Sequence, residues 1–432
     1  MKKDNNKRKT TNSKKIFATD KNVFFAVPYR KMILKSGKGM WVKDVDNNLY
    51  LDMMSGQFCL PLGYSDAAVA KLIKRQLATL VHTNTMFLTE DVVRGARALA
   101  SVVGKAPVKV FFLSTGAEAV EFAIRNAKAY SSKESLASLS VGYHGLTLAT
   151  QALSNFGLYA KPMIPKTYHL PVPDWVNRPK SQTAEQFTKS CLKETEEVLR
   201  GAKGDLASII VEPVISVGGM IFPQKEYFIG LAKIAKSHKA LLIFDESQTG
   251  IGRTGTWFAY EHYGVVPDMI ILAKGIGLGF ATSAVVMKAD IAKVLEGIVL
   301  HFSSHQNDPL SGATTDFLIS YIKKQKMLRS ITERGTYFLG KLRAIAEHHP
   351  IIVNPRGLGL MLGFDLDEKY FTNERNPGQE LVSLLEKEGV LIQAVRRGKT
   401  FRILPAYIIK EKEIDIFIKK LDSCLKMLEK QL

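Results

Sequence analysis

Short apolar runs alternate with longer amphipathic stretches through the middle of this chain. VKVFFL, at 108–113, comes before the amphipathic AEAVEFAIRNAKAY, and ASIIVEP, at 207–213, comes before EYFIGLAKIAKSHK. ALLIFDE, at 240–246, and DMIILAK, at 268–274, are two more apolar runs. Continuous apolar runs are typical of strands buried on both faces. Strands that alternate with helices form mostly parallel sheets. We therefore predict an α/β fold with a mostly parallel sheet in a large domain.

Both chain ends depart from this pattern and predict a smaller α+β domain. Near the start, GMWVKDVDNNLYLDMMSG alternates like a hairpin and turns at Asp46-Asn47-Asn48. Near the end, the strand-like VNPRGLGLMLGFDL is followed by a helix with apolar residues three and four apart. We divide the chain into a disordered basic tail at 1–20, an N-terminal part of the small domain at 21–65, a large cofactor-binding domain at 66–314 and a C-terminal part of the small domain at 315–432.

Composition narrows the class of protein. Hydrophobic residues make up 46% and charged residues 23% of the 432 residues, an ordinary globular balance, and the formal net charge is +19. The first fifteen residues contain seven Lys or Arg and one Asp, so we predict a solvated, disordered tail rather than a nucleic-acid-binding segment. No apolar stretch is long enough to cross a membrane. The cysteines, Cys59, Cys191 and Cys424, are few and far apart, which predicts a reducing, cytoplasmic location and no metal site.

Polar residues follow three of the predicted strands. Ligands bind beyond the carboxyl ends of the strands in open α/β sheets. Thr115, Gly116 and Ala117 begin a helix after VKVFFL, where backbone N–H groups and the helix dipole favour a phosphate. Asp245 follows ALLIF, and Lys274 follows DMIIL. A buried charge is costly without a partner, so each residue by itself could equally serve a structural purpose.

Together, these residues suggest pyridoxal 5′-phosphate (PLP) as the cofactor. This cofactor needs a lysine that forms an imine with it, an acid beside its pyridine nitrogen and a site for its phosphate. We expect Asp245 to keep the ring nitrogen protonated and Lys274 to hold the cofactor and move a proton at the substrate Cα. Tyr143 could provide a flat face for the ring.

Seven sequence segments, taken in order, resemble the class-III aminotransferases of PLP fold type I. They are LSTGAEAVEFAIRNAKAY, GYHGLTLAT, IIVEPV, IFDESQTGIGRTG, PDMIILAKGIGLG, SSHQNDPLS and RGLGLMLGFDL. The likeness extends from about Val23 to Leu428. It implies a homodimer or a dimer of dimers with the site at the subunit interface. It also implies that the cofactor is bound by Thr115, Gly116, Ala117, Tyr143, Asp245, Gln248, Lys274 and, from the neighbouring subunit, Ser304.

Local similarity to the 2,2-dialkylglycine decarboxylases of this family raises the question of the reaction. Gln57 matches a glutamine that contacts the departing carboxylate there, and Arg402 matches an arginine that binds the substrate carboxylate. Many family members have a glutamate at the position of Val217 that pairs with this arginine. Valine cannot, so we expect Arg402 to remain free for an α-carboxylate. Tyr143 and Val217 replace a tryptophan and a serine of the decarboxylases, which disfavours decarboxylation.

We therefore predict a PLP-dependent aminotransferase that acts between a small amino acid and a 2-oxo acid. A decarboxylation-dependent transaminase is the alternative within the family. A non-catalytic protein of the same fold with a nucleic-acid-binding tail is the alternative from another class.

Overall fold

The computed structural model of the protein describes residues 11–19, 22–24, 26, 29–104, 106–154 and 166–431. Its N-terminal part contains the predicted hairpin, whose two strands pair in antiparallel fashion around Asn47, a residue with a positive φ of 66°. The elements of this part are α1 (Thr11–Thr19), β1 (Leu34–Lys38), β2 (Trp41–Asp44), β3 (Leu49–Asp52) and the short helical turn α2 (Ser55–Phe58).

Helix α1 corrects the predicted disordered tail, which was wrong for residues 11–19. The Asp46 carboxylate accepts hydrogen bonds from the backbone N–H groups of Asn12 (2.7 Å) and Ser13 (3.0 Å) and from the Ser13 hydroxyl (2.7 Å). N–H groups in the first turn of a helix have no partner within the helix, and the dipole there favours an anion. The sequence pattern did not indicate this helix because the carboxylate that caps it lies 33 residues further along the chain. The first ten residues of the predicted tail lie outside the described residues.

The large central part alternates strands and helices as predicted. Its elements are α3 (Ala67–Thr79), α4 (Glu90–Ala100), β4 (Val108–Leu113), α5 (Gly116–Ser131), β5 (Ser135–Leu139), α6 (Leu148–Leu153), β6 (Thr167–Leu170), α7 (Ala184–Arg200), β7 (Leu206–Val211), α8 (Lys225–Ser237), β8 (Leu241–Asp245), α9 (Tyr260–Tyr263), β9 (Met269–Leu272), β10 (Ser283–Lys288) and α10 (Ala289–Leu295).

Seven of these strands form one sheet in the order β4-β10-β9-β8-β7-β5-β6. Only β10 among them runs antiparallel to its neighbours, so the predicted mostly parallel sheet is confirmed. Successive residues of a strand point to opposite faces. Accordingly, Met269 and Ile271 pack in one apolar core, and Ile270 and Leu272 pack in the other. Burial on both faces leaves the carboxyl edge of the sheet as the place where polar side chains of several strands meet.

The C-terminal part completes the smaller body. Its elements are α11 (Pro309–Lys324), α12 (Met327–His348), β11 (Ile352–Leu358), β12 (Met361–Leu366), α13 (Pro377–Lys387), β13 (Val390–Leu391), β14 (Gln393–Val395), β15 (Thr400–Ile403) and α14 (Glu411–Glu429). Strand β13 pairs in parallel with β3, so the two chain ends share a sheet, and β11, β12, β15 and β14 form another. The predicted domain boundary at residue 315 falls inside α11.

Helix α11 joins the two parts because it packs closely on α4. A Cβ atom added to Gly95 would lie 2.5 Å from the backbone oxygen of Gly312, and one added to Gly312 would lie 2.3 Å from the oxygen of Asp91. Glycine at both positions therefore lets the two backbones approach each other.

Candidate active site

A cavity of about 370 Å³ lies at the carboxyl edge of the large sheet. Seven of the residues predicted to bind the cofactor line it: Thr115, Gly116, Ala117, Tyr143, Asp245, Gln248 and Lys274. They come from the segments that directly follow β4, β5, β8 and β9. The carboxyl ends of parallel strands share one edge of the sheet, and for this reason residues up to 159 positions apart meet (274 − 115).

The start of α5 forms one end of the cavity. Thr115 is the residue that caps this helix, and its hydroxyl accepts the Glu118 N–H at 3.2 Å. The Glu118 carboxylate in turn accepts the Ser114 N–H at 2.9 Å. The N–H groups of Gly116 and Ala117 belong to the first turn and have no partner within the helix. They and the helix dipole make this end of the cavity suitable for a phosphate.

Asp245 lies deeper in the cavity and is held by a histidine that the sequence analysis left aside. The His144 Nδ1–H donates to Asp245 Oδ2 at 2.8 Å, and the Ser247 N–H donates to Asp245 Oδ1 at 3.1 Å. Both side chains of the histidine–aspartate pair are buried. Burial raises the pKa of Asp245, but the hydrogen bond and charge of His144 and the charge of Lys274 outweigh it and leave the pKa below its ordinary value. Asp245 is therefore an anion.

Lys274 faces Asp245 across the cavity and begins a short 3₁₀ turn after β9. Its backbone has a φ of +52°, a conformation that side chains other than glycine rarely adopt and that is often found at functional sites. Burial lowers the pKa of its amine, and Asp245 partly opposes this. Within the described part of the chain, the amine has no hydrogen-bond or ion-pair partner. A half-buried amine with a lowered pKa that faces a cavity is suited to act as a nucleophile or base.

Glu212 is a second carboxylate in this cavity. It follows β7, and its Oε2 accepts the backbone N–H of Tyr143 at 3.0 Å. Burial raises its pKa to about 7, and His144 opposes this shift. The bond fixes the backbone from which the Tyr143 side chain extends into the cavity wall.

The structure does not bring Gln57 into the cavity. Ser55, Gly56, Gln57 and Phe58 all have positive φ angles, between 43° and 69°. This left-handed turn leaves Gln57 exposed, and Cys59, two residues later, lines the cavity. Periodicity cannot predict a run of left-handed residues, because such a run depends on tertiary contacts that offset its strain.

Arg402 lies buried behind the cavity wall, 2% exposed, with its guanidinium 5.1 Å from the centre of the Phe58 ring. Its Nη1 donates to the Ser216 hydroxyl at 3.1 Å and its Nη2 donates to the amide oxygen of Gln393. As expected, no carboxylate pairs with Arg402 among the described residues. Arg402 is nevertheless not free, since two neutral side chains accept hydrogen bonds from its guanidinium. Burial lowers its pKa to about 10, so it stays charged at neutral pH.

Ser304 is exposed in a loop outside the cavity of its own chain. The next residue, His305, lies beside His82, and their Nδ1 atoms contact the two carboxylate oxygens of Asp308 at 2.6 Å and 2.7 Å, respectively. These contacts are explained by hydrogen bonding, and the three side chains also form a group that could hold a metal ion.

The sequence analysis did not select Glu212 and His144, and only Glu212 could have been found from the sequence. Glu212 follows a buried strand, as Asp245 does, so the same argument applied to β7 would have selected it. His144 follows Tyr143 directly, but its bond to a residue 101 positions away gives no local signal.

The cavity suits PLP on structural grounds. It has a helix start whose first N–H groups lack partners within the helix, an anionic aspartate held by two donors, and a lysine amine that has no hydrogen-bond or ion-pair partner among the described residues. The amide oxygen of Gln248 is also buried and, among the described residues, lacks a hydrogen-bond partner. Buried polar groups normally have partners, so an unpaired one that faces a cavity indicates a bound group. The fold and site therefore define a PLP enzyme of fold type I.

The chain belongs to the class-III aminotransferase family, because residues 24–425 match the family described as "Aminotransferase class-III". It is 32% identical over 415 residues to an uncharacterized aminotransferase of Schizosaccharomyces pombe, covering 92% of this chain and 91% of the relative. It is 31% identical over 396 residues to the acetylornithine aminotransferase of Methanosarcina mazei, covering 91% of each. A solved (S)-enantioselective omega-transaminase from Thermomicrobium roseum is 25% identical, with a TM-score of 0.88 and coverage of 97% and 98%.

These findings confirm the predicted class of enzyme. The protein is a PLP-dependent aminotransferase, an enzyme that moves an amino group between an amino acid and a 2-oxo acid. The non-catalytic alternative is wrong. No helix within the described ranges is long and apolar enough to cross a membrane.

Proposed function

We propose that this enzyme transfers the amino group of a small α-amino acid to a 2-oxo acid, with Lys274 as the residue that binds the cofactor and moves the proton. When bound, PLP supplies an electron-withdrawing ring that stabilises negative charge at the substrate Cα. The observation that carries the proposal is the half-buried Lys274 amine, which lines the same cavity as Asp245 and has no hydrogen-bond or ion-pair partner within the described residues.

Each side chain has a physical task in this proposal. Asp245 holds a proton on the pyridine nitrogen, for which its lowered pKa suits it. Tyr143 packs on the ring, and the Gln248 amide contacts the phenolic oxygen. Lys274 Nζ would take the proton from the substrate Cα and deliver it to the cofactor carbon that is bonded to the substrate nitrogen. The N–H groups at the start of α5 and the partner subunit's Ser304 bind the phosphate.

Arg402 binds the α-carboxylate of the substrate in this proposal. A guanidinium matches a carboxylate in shape and charge, and the Nε of Arg402 is buried and, in the described chain, has no acceptor. A decarboxylating reaction has less support, because Gln57 is exposed, whereas Arg402 is buried and close enough to Lys274 for its charge to add to burial in lowering the pKa of that amine.

The test compares wild type with Lys274→Ala, using L-alanine as the amino donor. The absorbance of the cofactor is recorded as L-alanine is converted to pyruvate, and again for the reverse reaction. We expect wild type with PLP to absorb as a lysine-linked cofactor and to convert to the amine form with L-alanine or another small amino acid. Lys274→Ala should fold, bind PLP without the lysine-linked absorbance, and lose turnover. Full turnover in Lys274→Ala would contradict the proposed role of this residue.

A homodimer is the second part of the proposal. Large apolar side chains are exposed near the end of α3, on the loop after it and on the loop that carries Ser304: Leu77, Met86, Phe87, Leu88, Val299 and Phe302 are all between 65% and 79% exposed. Extended exposed apolar surfaces mark interaction sites. A second copy of the chain would cover them and bring its Ser304 towards the phosphate end of the cavity.

Complementation tests the shared site. Ser304→Asp places a negative charge where the phosphate of the neighbouring site is expected, so this variant and Lys274→Ala should each be inactive. Mixed dimers of the two contain one intact site, with Lys274 from one chain and Ser304 from the other. Random association should then restore about a quarter of wild-type activity. No recovery in verified mixed dimers would contradict the shared site.

A further inference from the structure

Gln393 is the cross-strand neighbour of Arg402. The two residues lie directly opposite each other in the antiparallel pair β14–β15. Opposed residues in such a pair project on the same face with their Cβ atoms about 5 Å apart. On the other side of β15, the residue opposite Arg402 is Gly363, which has no side chain. The amide of Gln393 is therefore the one cross-strand side chain that can contact the guanidinium.

The contact that forms is a hydrogen bond between a cation and a neutral group. Gln393 Oε1 accepts from Arg402 Nη2, and the Ser216 hydroxyl accepts from Nη1. Within the described residues, no carboxylate lies at ion-pair distance from Arg402, and Glu212 acts on it only through space. Buried cations are normally paired with anions. Arg402 is thus held in place without having its charge neutralised.

The position of Ser216 is also fixed. Arg356 donates to the backbone oxygens of Gly219 (2.6 Å) and Met220 (2.7 Å), at the end of the turn that carries Ser216, and it pairs with Asp365 at 2.8 Å. Ser216 is fully buried, whereas Gln393 is half-buried at the start of the three-residue strand β14. Of the two acceptors, Gln393 is the one that can move aside.

We infer that Gln393 is a neutral latch on Arg402, a positioning residue that yields to the carboxylate of the substrate and thereby favours carboxylate-bearing substrates. The Gln393 amide offers the guanidinium one neutral acceptor, whereas a carboxylate offers an opposite charge and two acceptor oxygens in the geometry that matches a guanidinium. The amide can therefore orient the guanidinium and still be displaced. A carboxylate at position 393 would compete with the substrate. This inference rests on the proposed function, in which Arg402 binds the α-carboxylate.

The test measures the affinity of the PLP-loaded enzyme for propionate, a carboxylate without an amino group. Binding is detected by the change in the absorbance of the cofactor. We expect Gln393→Glu to weaken propionate binding about tenfold, because an ion pair now holds Arg402. Gln393→Leu removes the latch without adding a charge, so it should bind propionate at least as tightly as wild type. The KM for L-alanine should follow the same order, with kcat changed less than KM.

Gln186→Glu is the matched control. It makes the same chemical change on an exposed residue, where glutamate serves the capping box of α7 as well as glutamine does, so propionate binding should not change. Equal affinity of wild type and Gln393→Glu would overturn the inference. So would an equal loss in Gln393→Leu, since that pattern indicates a structural role.

Arg402→Ala separates this inference from the proposed function. If Arg402→Ala leaves propionate binding unchanged, the carboxylate is held elsewhere and the proposed substrate site fails with it. If Arg402→Ala weakens binding and Gln393→Glu does not, the arginine site stands and only the latch is refuted.

Discussion

Replacing His144 tests how much of the activity depends on the hydrogen bond that this residue donates to Asp245. The variant is His144→Leu, which fills a similar volume and removes the hydrogen bond to Asp245 Oδ2. Asp245 then keeps the Ser247 N–H on its other oxygen, and its remaining charge partner is Lys274. Burial should raise the pKa of Asp245, so the carboxylate becomes a weaker partner for a protonated pyridine nitrogen.

The size of the effect follows from the burial of the pair. The His144 side chain is 0% exposed and that of Asp245 is 5% exposed, so solvent does not screen their contact. Removing one member of a buried ion pair costs about 3–5 kcal/mol of stability. One charge-assisted hydrogen bond is worth about 1.5–3 kcal/mol, which corresponds to about ten- to hundredfold in kcat/KM. His144→Gln keeps a donor and should recover part of both losses.

The stability difference should also depend on pH. The pKa of Asp245 is lowered from 3.8, so its contribution is present above pH 3.8 and is lost as the pH falls through its value in the folded protein. The pKa of His144 is raised from 6.5, so its contribution is present below pH 6.5 and is lost as the pH rises through its folded value. The difference in unfolding free energy between wild type and His144→Leu should therefore be largest between about pH 4 and 6.5.

Two measurements check this prediction. Urea unfolding of wild type, His144→Leu and His144→Gln from pH 3 to 9 gives the stability difference, and steady-state assays with L-alanine give kcat/KM. The reasoning is refuted if His144→Leu retains more than half of the wild-type kcat/KM, or if its loss of stability is the same at every pH.

Two further variants test other parts of the structure. Burial raises the pKa of Glu212 from 4.5 to about 7. As the pH rises from 4.5 to 7, wild type should therefore lose up to about 3 kcal/mol of unfolding free energy relative to Glu212→Gln. A difference in unfolding free energy that stays constant over this range would contradict the prediction. A Cβ added to Gly335 would lie 2.1 Å from the backbone oxygen of Gly359, so Gly335→Ala should cost about 1–3 kcal/mol or more in chemical unfolding. Gly340→Ala in the same helix meets nothing within 4 Å and should stabilise by about 0.5–1 kcal/mol; equal effects of the two substitutions would refute the packing argument.

The amino-acid pattern by itself determined the architecture and the centre of the site. Apolar runs on buried strands and amphipathic stretches are local properties, so the alternation that builds the mostly parallel sheet could be predicted. The carboxyl ends of parallel strands must meet at one edge, and Asp245 and Lys274 follow such strands. Their meeting therefore needs no knowledge of the packing.

Only the tertiary structure decided how these residues are supported. His144 reaches Asp245 across 101 positions, and Ser216 reaches Arg402 across 186. Gln393 meets Arg402 because β14 and β15 pair in one particular register. The carboxylate of Asp46 caps helix α1. The left-handed backbone at 55–58 keeps the Gln57 side chain out of the cavity. Such contacts depend on which surfaces pack together over long stretches of chain, and local periodicity carries no information about that choice.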